Sequence, residues 1–277
     1  MNFLICAPGD YTPNGGGCVA LHRLAHNISL CGEKCYIMTS KKNPAYLGEE
    51  VTEQQAKRIA KDGAFTIYPE VTCGNPLGAV DGRIMRWILY YVRNYGEHGK
   101  FGERDLIYKF APHFTLRYEQ ETHGELRAVE LNLHTFYNYN VNRSGACYLV
   151  KKNPDKVHIH PEGSLCLDDY PKHELNANFY LAGVFNTHEM FIAYDSATWL
   201  SVMAALCGCV SVVIPDEGVT AEEWHSKFPY FKYGIAYGMD DIQYAKDTQH
   251  LLRDELIKIE SETIEQTVSF IKMAYGK

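Results

Sequence analysis

The chain has 277 residues, 46% of them hydrophobic and 22% charged, which suits one large or two small globular domains with a sizeable core. A formal net charge of −7 argues against a nucleic-acid partner, because a polyanion would need a local basic patch. No apolar run approaches the ~18 residues of a membrane helix, and the start, MNFLICAPGD, lacks the basic flank and long apolar stretch of a signal peptide, so a cytoplasmic protein without a transmembrane segment is expected.

The first apolar run, Asn2–Ala7, is bounded by Pro8 and Gly9 and reads as a buried parallel strand. A Gly-, Pro- and Asn-rich loop follows over 8–17. Val19, Leu21, Leu24, Ala25 and Ile28 then recur at a helical period over 18–30, and Gly32 stops the helix. Lys34–Thr39 is a second strand. This β-loop-α-β unit opens a doubly wound α/β domain. A polar helix over 50–62 and a strand over 64–68 come next, then a long loop, PEVTCGNPLGAVDG. The amphipathic, aromatic run Arg83–Tyr95 predicts a helix, and 105–109 and 126–131 read as strands. The pattern restarts at Ala146–Val150, after the polar stretch NYNVNRSG. Asn178–Phe185 and Met190–Ala193 read as strands, 198–208 as a helix, 210–214 as a strand, and 241–274 as mostly helical. Two α/β domains, 1–142 and 143–277, are therefore expected to face each other across a ligand cleft.

The nine cysteines, odd in number, read as reduced thiols, and Cys31 and Cys35 flank a turn with no second Cys/His pair nearby. The 20 Tyr and 12 Phe either fill cores or line a sugar or nucleotide site.

Several stretches carry candidate chemistry. Gly15, Gly16 and Gly17 precede the first helix, where close backbone approach and free N–H groups attract anions. Gly15-x-Gly17-x-x-Ala20 also matches a dinucleotide pattern, and Lys41 and Lys42 after strand two suit a 2′-phosphate, so an NADP-dependent oxidoreductase stays open beside a loop that merely turns the chain. Glu70 ends a parallel strand, where a carboxylate can orient hydroxyls or act as a base; a salt bridge to Arg83 or Arg86 is the alternative. Arg143, Lys151 and Lys152 are cations placed to neutralise a pyrophosphate, or a solvated basic turn. His158, His160 and His173 have no metal-ligand spacing and read as surface residues. In YDSATWLSVMAALCGC, Asp195, Ser196 or Thr198 can cap the helix, and the same helix start makes a phosphate seat at the carboxyl edge of the sheet.

Together these residues resemble the glycosyltransferases of the two-Rossmann (GT-B) fold. PNGGGCVALHRLAHNISLCGEKCYI looks like that superfamily's opening, and the YPE…GNPLGA…RW segment is similar to polysaccharide-type members. In the E-x7-E helix of the family, Gly208 and Ala204 match, Asp195 falls on the first acid and Met203 on the second, which usually holds the donor ribose. The resemblance implies a C-terminal donor domain, an N-terminal acceptor-side domain, and a last helix packing back on the first. It implies metal-independent transfer of a sugar from a nucleotide-sugar such as a UDP-, GDP- or dTDP-sugar to an acceptor hydroxyl in glycan or polysaccharide synthesis, retaining in stereochemistry, with no bound cofactor. Lys151, Lys152, Tyr194, Asp195, Ser196 and Thr198 would meet the donor, Gly15–Gly17 the donor phosphate or the acceptor, and Glu70 or His113 would be the acceptor-side catalytic group. The acceptor is a glycan or lipid-linked molecule, and a peripheral membrane contact stays open. Met203 keeps a non-catalytic GT-B-like binding protein as the alternative.

Overall fold

The computed structural model describes the chain except for residues 14, 91–100, 117, 151, 152, 173, 175, 228 and 277. It divides into two compact units, Met1–Glu130 with Glu260–Lys277, and Leu131–Ile259. The division falls at 130/131 and not at 142/143, because residues 136–143 are tied into the second unit: Phe136 is buried, Tyr139 N donates to Asn186 Oδ1 at 2.7 Å, and Arg143 donates to the Cys207 carbonyl.

The first unit is a seven-stranded parallel sheet, β1 (Asn2–Cys6), β2 (Lys34–Met38), β3 (Glu49–Val51), β4 (Phe65–Pro69), β5 (Ile84–Ile88), β6 (Leu106–Lys109) and β7 (Gly124–Glu125), in the order β3-β2-β1-β4-β5-β6-β7. The first six strands thus follow the 3-2-1-4-5-6 order of doubly wound folds, with the reversal between β1 and β4. Helix α1 (Gly16–Leu30) turns Leu21, Leu24, Ala25 and Ile28 to one face of the sheet. Helix α2 (Glu53–Lys61) covers the other. It starts at a capping box in which Thr52 accepts from Gln55 N and Gln55 Oε1 accepts from Thr52 N.

The second unit is a five-stranded parallel sheet of β8 (Ala146–Leu149), β9 (Leu165–Cys166), β10 (Met190–Ala193), β11 (Val210–Val213) and β12 (Ile235–Tyr237), ordered β12-β11-β10-β8-β9. That is the 2-1-3-4-5 order, with the reversal between β8 and β10. Helices α3 (Ala177–Thr187), α4 (Trp199–Leu206), α5 (Ala221–Lys227) and α6 (Ile242–Thr248) connect or flank these strands. The last helix, α7 (Leu252–Tyr275), belongs to the first unit from Glu260 onward, where Phe270, Ile271 and Ala274 share a core with Phe3, Phe65 and Tyr108. Both units are therefore Rossmann-like parallel α/β sheets.

Three predicted elements are corrected. Residues 84–88 form a strand, not a helix; all five are buried, and a run covered on both faces loses the alternation that marks a strand. Residues 91–95 of that predicted helix lie outside the described residues. Asn178–Phe185 is part of helix α3, not a strand, its apolar residues being shared between buried and exposed faces. Over 126–131 no ladder forms; β7 ends at Glu125, and Leu126 instead offers its carbonyl to Trp87 Nε1 at 2.9 Å.

Candidate functional site

In open parallel sheets the loops leaving the carboxyl ends of the strands at the reversal of strand order splay apart and leave a ligand crevice. In the first unit these loops leave β1 and β4. The former carries Gly15, the backbone N-cap of α1, with Gly16 and Gly17 opening the helix; no side chain caps it and its first turn holds no acid. A Cβ at Gly15 would collide with Thr12 Oγ1, whereas one at Gly16 would meet nothing within 4 Å. A side chain at the first position would thus have to displace the Thr12 hydroxyl, whereas glycine leaves the second bare. Gly17 lies beside Leu89, 3.7 Å from where its Cβ would be, and Leu89 N donates to Glu70 Oε2 at 3.0 Å. The glycines and Glu70 therefore flank one switch point. His22, on the second turn of α1, is buried with neither ring nitrogen hydrogen-bonded. Burial, aided by the Lys42 charge and opposed by Asp10, pushes it down to about 4, so it is a neutral core residue under this loop.

Glu70 is 5% exposed and pairs with neither predicted arginine: Arg83 donates to the Gly63 carbonyl, and Arg86 pairs with Asp105. Burial raises its carboxyl above the usual carboxylate range, against the backbone N–H groups of Leu89 and of Glu70 itself. The protonated form is thus the one the fold favours. Its contribution to stability is complete below the unfolded-state value and is lost as pH rises through the folded one. Glu70→Gln keeps the acceptor for Leu89 and removes the titration, so urea melts between pH 4 and 8 are expected to show the variant at least as stable as the parent at pH 7, with a flatter pH dependence. A variant that tracks the parent at every pH would show that Glu70 does not carry this linkage. His113 follows β6 on the same edge, two strands from Glu70, with its ring edge-on to Phe114 at 4.7 Å.

In the second unit the reversal lies between β8 and β10, and side chains bind the two outgoing loops together. Asn153 Nδ2 donates to the Tyr194 carbonyl at 3.1 Å. Lys156 Nζ donates to Ser196 Oγ at 3.2 Å and to the Ile214 carbonyl at 2.6 Å, and pairs with Asp216 Oδ1 at 2.8 Å. Burial opposes ionisation of Asp216, but hydrogen bonds from Lys156 and Ser196 and the Lys156 charge hold it below its usual range. Tyr237, at the end of β12, accepts Asp216 N on its hydroxyl at 2.7 Å. Trp224, 1% exposed, is stacked between Phe231 and Tyr237 and donates its indole N–H to the Ser196 carbonyl at 2.8 Å. One lysine, two hydroxyl residues, one carboxylate and an aromatic clamp thus gather where α4 begins.

Of the residues singled out from sequence, Tyr194, Asp195, Ser196 and Thr198 do lie together here, but their roles differ. The Tyr194 side chain is fully buried; its hydroxyl accepts Ile159 N at 2.7 Å and meets His160 Nδ1 at 2.9 Å, fixing the loop that follows β8. Asp195 Oδ1 accepts Ala197 N, and Thr198 Oγ1 accepts Leu200 N at 3.4 Å as the helix cap. Ser196 alone of the four has its hydroxyl on Lys156. Lys151 and Lys152 lie outside the described residues. Arg143 lies at the far end of α4 from the switch point, where it binds the Cys207 carbonyl and Asn138 and a cation complements the helix dipole. Beside it Gly208 has φ +85°, and a Cβ there would sit 2.7 Å from Asn138 Nδ2, so only glycine fits. Met203, on helix α4, is 3% exposed. His160 stacks on Tyr148 at 3.6 Å and His158 lies 4.9 Å from the Tyr194 ring, while His173 lies outside the described residues. Comparison with family models and with curated proteins gave no match. None of the nine cysteines is in a disulfide. Among the described residues no helix is long and apolar enough to cross a membrane.

Lys156, Asp216 and Trp224 escaped the sequence reading. Lys156 lies only four residues beyond the Lys151-Lys152 pair, and its spacing from the strand was the available signal. Asp216 and Trp224 reach the site only through the order of β11 and β12 in the sheet.

Proposed function

We propose that the chain is a GT-B-type glycosyltransferase that moves a sugar from a nucleotide-sugar to an acceptor hydroxyl, with the donor diphosphate at the β8/β10 switch point. The observation that carries this reading is the meeting there of Lys156, Ser196 and the first turn of α4. In such a seat the ammonium and the helix N–H groups take up charge as the nucleoside diphosphate leaves. The switch point of the first unit supplies the acceptor side, with Gly16 leaving backbone bare to an incoming group and Glu70 as the base or orienting carboxylate. Burial raises the Glu70 carboxyl, the direction that strengthens a carboxylate as a base.

The strand order of the first unit is also that of dinucleotide-binding domains, which favours the oxidoreductase as the second reading. Against it, eight residues separate β1 from Gly15, and Lys42 Nζ is already bound to the carbonyls of Asn43 and Tyr46. A single thermal-shift screen with UDP, GDP, ADP, CMP, dTDP and NADPH separates the readings. One nucleotide of the first five is expected to raise Tm by several degrees, since a ligand at a hundredfold excess over its Kd stabilises by about 2.7 kcal/mol. No shift with any of them would sink the proposal, and a shift with NADPH alone would replace it. Binding without release of nucleoside diphosphate from any nucleotide-sugar would leave a non-catalytic binding protein.

A further inference from the structure

Tyr194 follows β10 with its side chain fully buried, and it grips the loop after β8 on both sides of Lys156. Upstream, its carbonyl accepts Asn153 Nδ2 at 3.1 Å. Downstream, its hydroxyl accepts Ile159 N at 2.7 Å and His160 N at 3.2 Å, and it lies 2.9 Å from His160 Nδ1. From this geometry we infer that Tyr194 and His160 form a latch. It holds Lys156 at the β8/β10 switch point while the imidazole is neutral, and releases it when the ring takes up a proton.

The chemistry of the phenol sets this condition. A tyrosine hydroxyl carries one proton and otherwise accepts. Two backbone N–H groups already donate to it, so its own proton is left for His160 Nδ1. That nitrogen must then be the bare, accepting one, with the ring hydrogen on Nε2. An imidazolium donates from both nitrogens. With Nδ1 protonated, the hydroxyl would face three donors, and its own proton would have no acceptor among these groups.

The surroundings let the ring titrate but favour its neutral form. His160 is half-buried. It stacks on Tyr148 of β8 at 3.6 Å, lies edge-on to Tyr194 at 5.8 Å, and has His158 of its own loop at 5.4 Å. Cys166 of β9 and Asp168 just beyond it stand against Tyr148. Burial, aided by His158, holds the imidazole below the ordinary histidine range. The latch is thus complete above that range and opens as pH falls through the folded-state value. The loop buries little apolar surface of its own, since Val157 and Ile159 are exposed, so its order depends on Tyr194 and on the contacts of Lys156.

Hydrogen exchange at the Ile159 and His160 amides, on the full chain without ligand, tests the latch directly. Their protection, corrected for the intrinsic pH dependence of exchange, is expected to fall about tenfold between pH 8 and pH 5 in the parent. His160→Asn has a side-chain oxygen that can accept the phenol proton but does not titrate, and its protection should stay constant over that range. Tyr194→Phe should lose protection at both pH values. The consequence for the donor rests on the glycosyltransferase reading. Tyr194→Phe should weaken binding of the stabilising nucleoside diphosphate by about tenfold, yet add nothing in a Lys156→Ala background. Asp216 stays ionised over this window, because its carboxyl is held below its usual range. Equal parent protection at pH 8 and pH 5, or a fall of the same size in His160→Asn, would overturn the inference, and additive losses in Tyr194→Phe/Lys156→Ala would show that the latch does not act through Lys156. If no nucleotide binds, the glycosyltransferase reading fails and the exchange profile still decides the latch. Circular dichroism and Tm at each pH identify any variant that fails to fold, and the parent profile needs no variant.

Discussion

Arg86→Met is expected to cost the protein about 3–5 kcal/mol, or to unfold it, because it leaves a carboxylate buried without its cation. Arg86 is 3% exposed. Its Nε donates to Asp105 Oδ2 at 2.6 Å, and its two terminal nitrogens donate to the carbonyls of Thr72 and Gly74 at 3.2 and 2.7 Å. The guanidinium also lies over the rings of Tyr68 and Phe101, 4.8 and 5.3 Å from their centroids. One side chain thus pins the interior strand β5, the loop before β6 and the loop that leaves β4 just beyond Glu70. Lysine cannot replace it, since an ammonium lacks the planar fork that reaches three acceptors at once. A paired substitution separates the charge effect from the packing effect. Arg86→Met with Asp105→Leu removes both charges, so the double variant should lose clearly less than the sum of the two single losses. Urea unfolding followed by circular dichroism measures all three proteins. An Arg86→Met midpoint equal to the parent's would show that the pair does not hold the sheet, and a strictly additive double variant would show that the two groups do not act through each other.

Arg86 also shows where local pattern stops being informative. Strands β1, β2, β4, β8, β10 and β11 were legible because each is an apolar run punctuated by Gly, Pro or polar residues. The run RIMRWILYYVRNY, amphipathic and aromatic, read as a helix. Its Arg86 is neutralised by Asp105, nineteen residues away, and no periodicity within the run reports a partner that distant. Helix α3 failed in the opposite sense. NFYLAGVF has the length and aromatic content of a strand, yet Phe179 ends up exposed while Leu181 and Phe185 are buried, a division that only tertiary packing sets. The same limit governs the site. Tyr194–Thr198 could be placed at a strand's carboxyl end because they follow β10 in the chain. That Ser196 alone of them meets Lys156 depended on Tyr194 and Thr198 being occupied by backbone N–H groups and on Lys156 arriving from the loop after β8. The orders 3-2-1-4-5-6 and 2-1-3-4-5 bring such loops together, and strand order is a property of pairing that the separate runs do not encode one by one.

Lys156 carries the second large effect. Lys156→Ala is expected to weaken binding of the stabilising nucleoside diphosphate by about 10- to 100-fold, the equivalent of the ~1.5–3 kcal/mol of one charge-assisted contact. Stability should change by about 1 kcal/mol or less, because its partner Asp216 keeps access to water. The two readouts thus diverge, which a purely structural lysine would not produce. Asp216 gives the converse test. Its carboxylate shares the ammonium and, being held below the usual range, is charged at neutral pH, where it repels a diphosphate seated on the same lysine. Asp216→Asn is therefore expected to tighten nucleotide binding at pH 7. In the parent protein affinity should rise only when the pH falls low enough to protonate Asp216, and the variant should lose that rise. Calorimetric titrations at several pH values on the three proteins decide the matter. If Lys156→Ala binds as tightly as the parent, the diphosphate sits elsewhere and the switch-point assignment fails. If Asp216→Asn weakens binding, the carboxylate orients the lysine more than it competes for it, and its stabilising hydrogen bonds from Lys156 and Ser196 outweigh the repulsion.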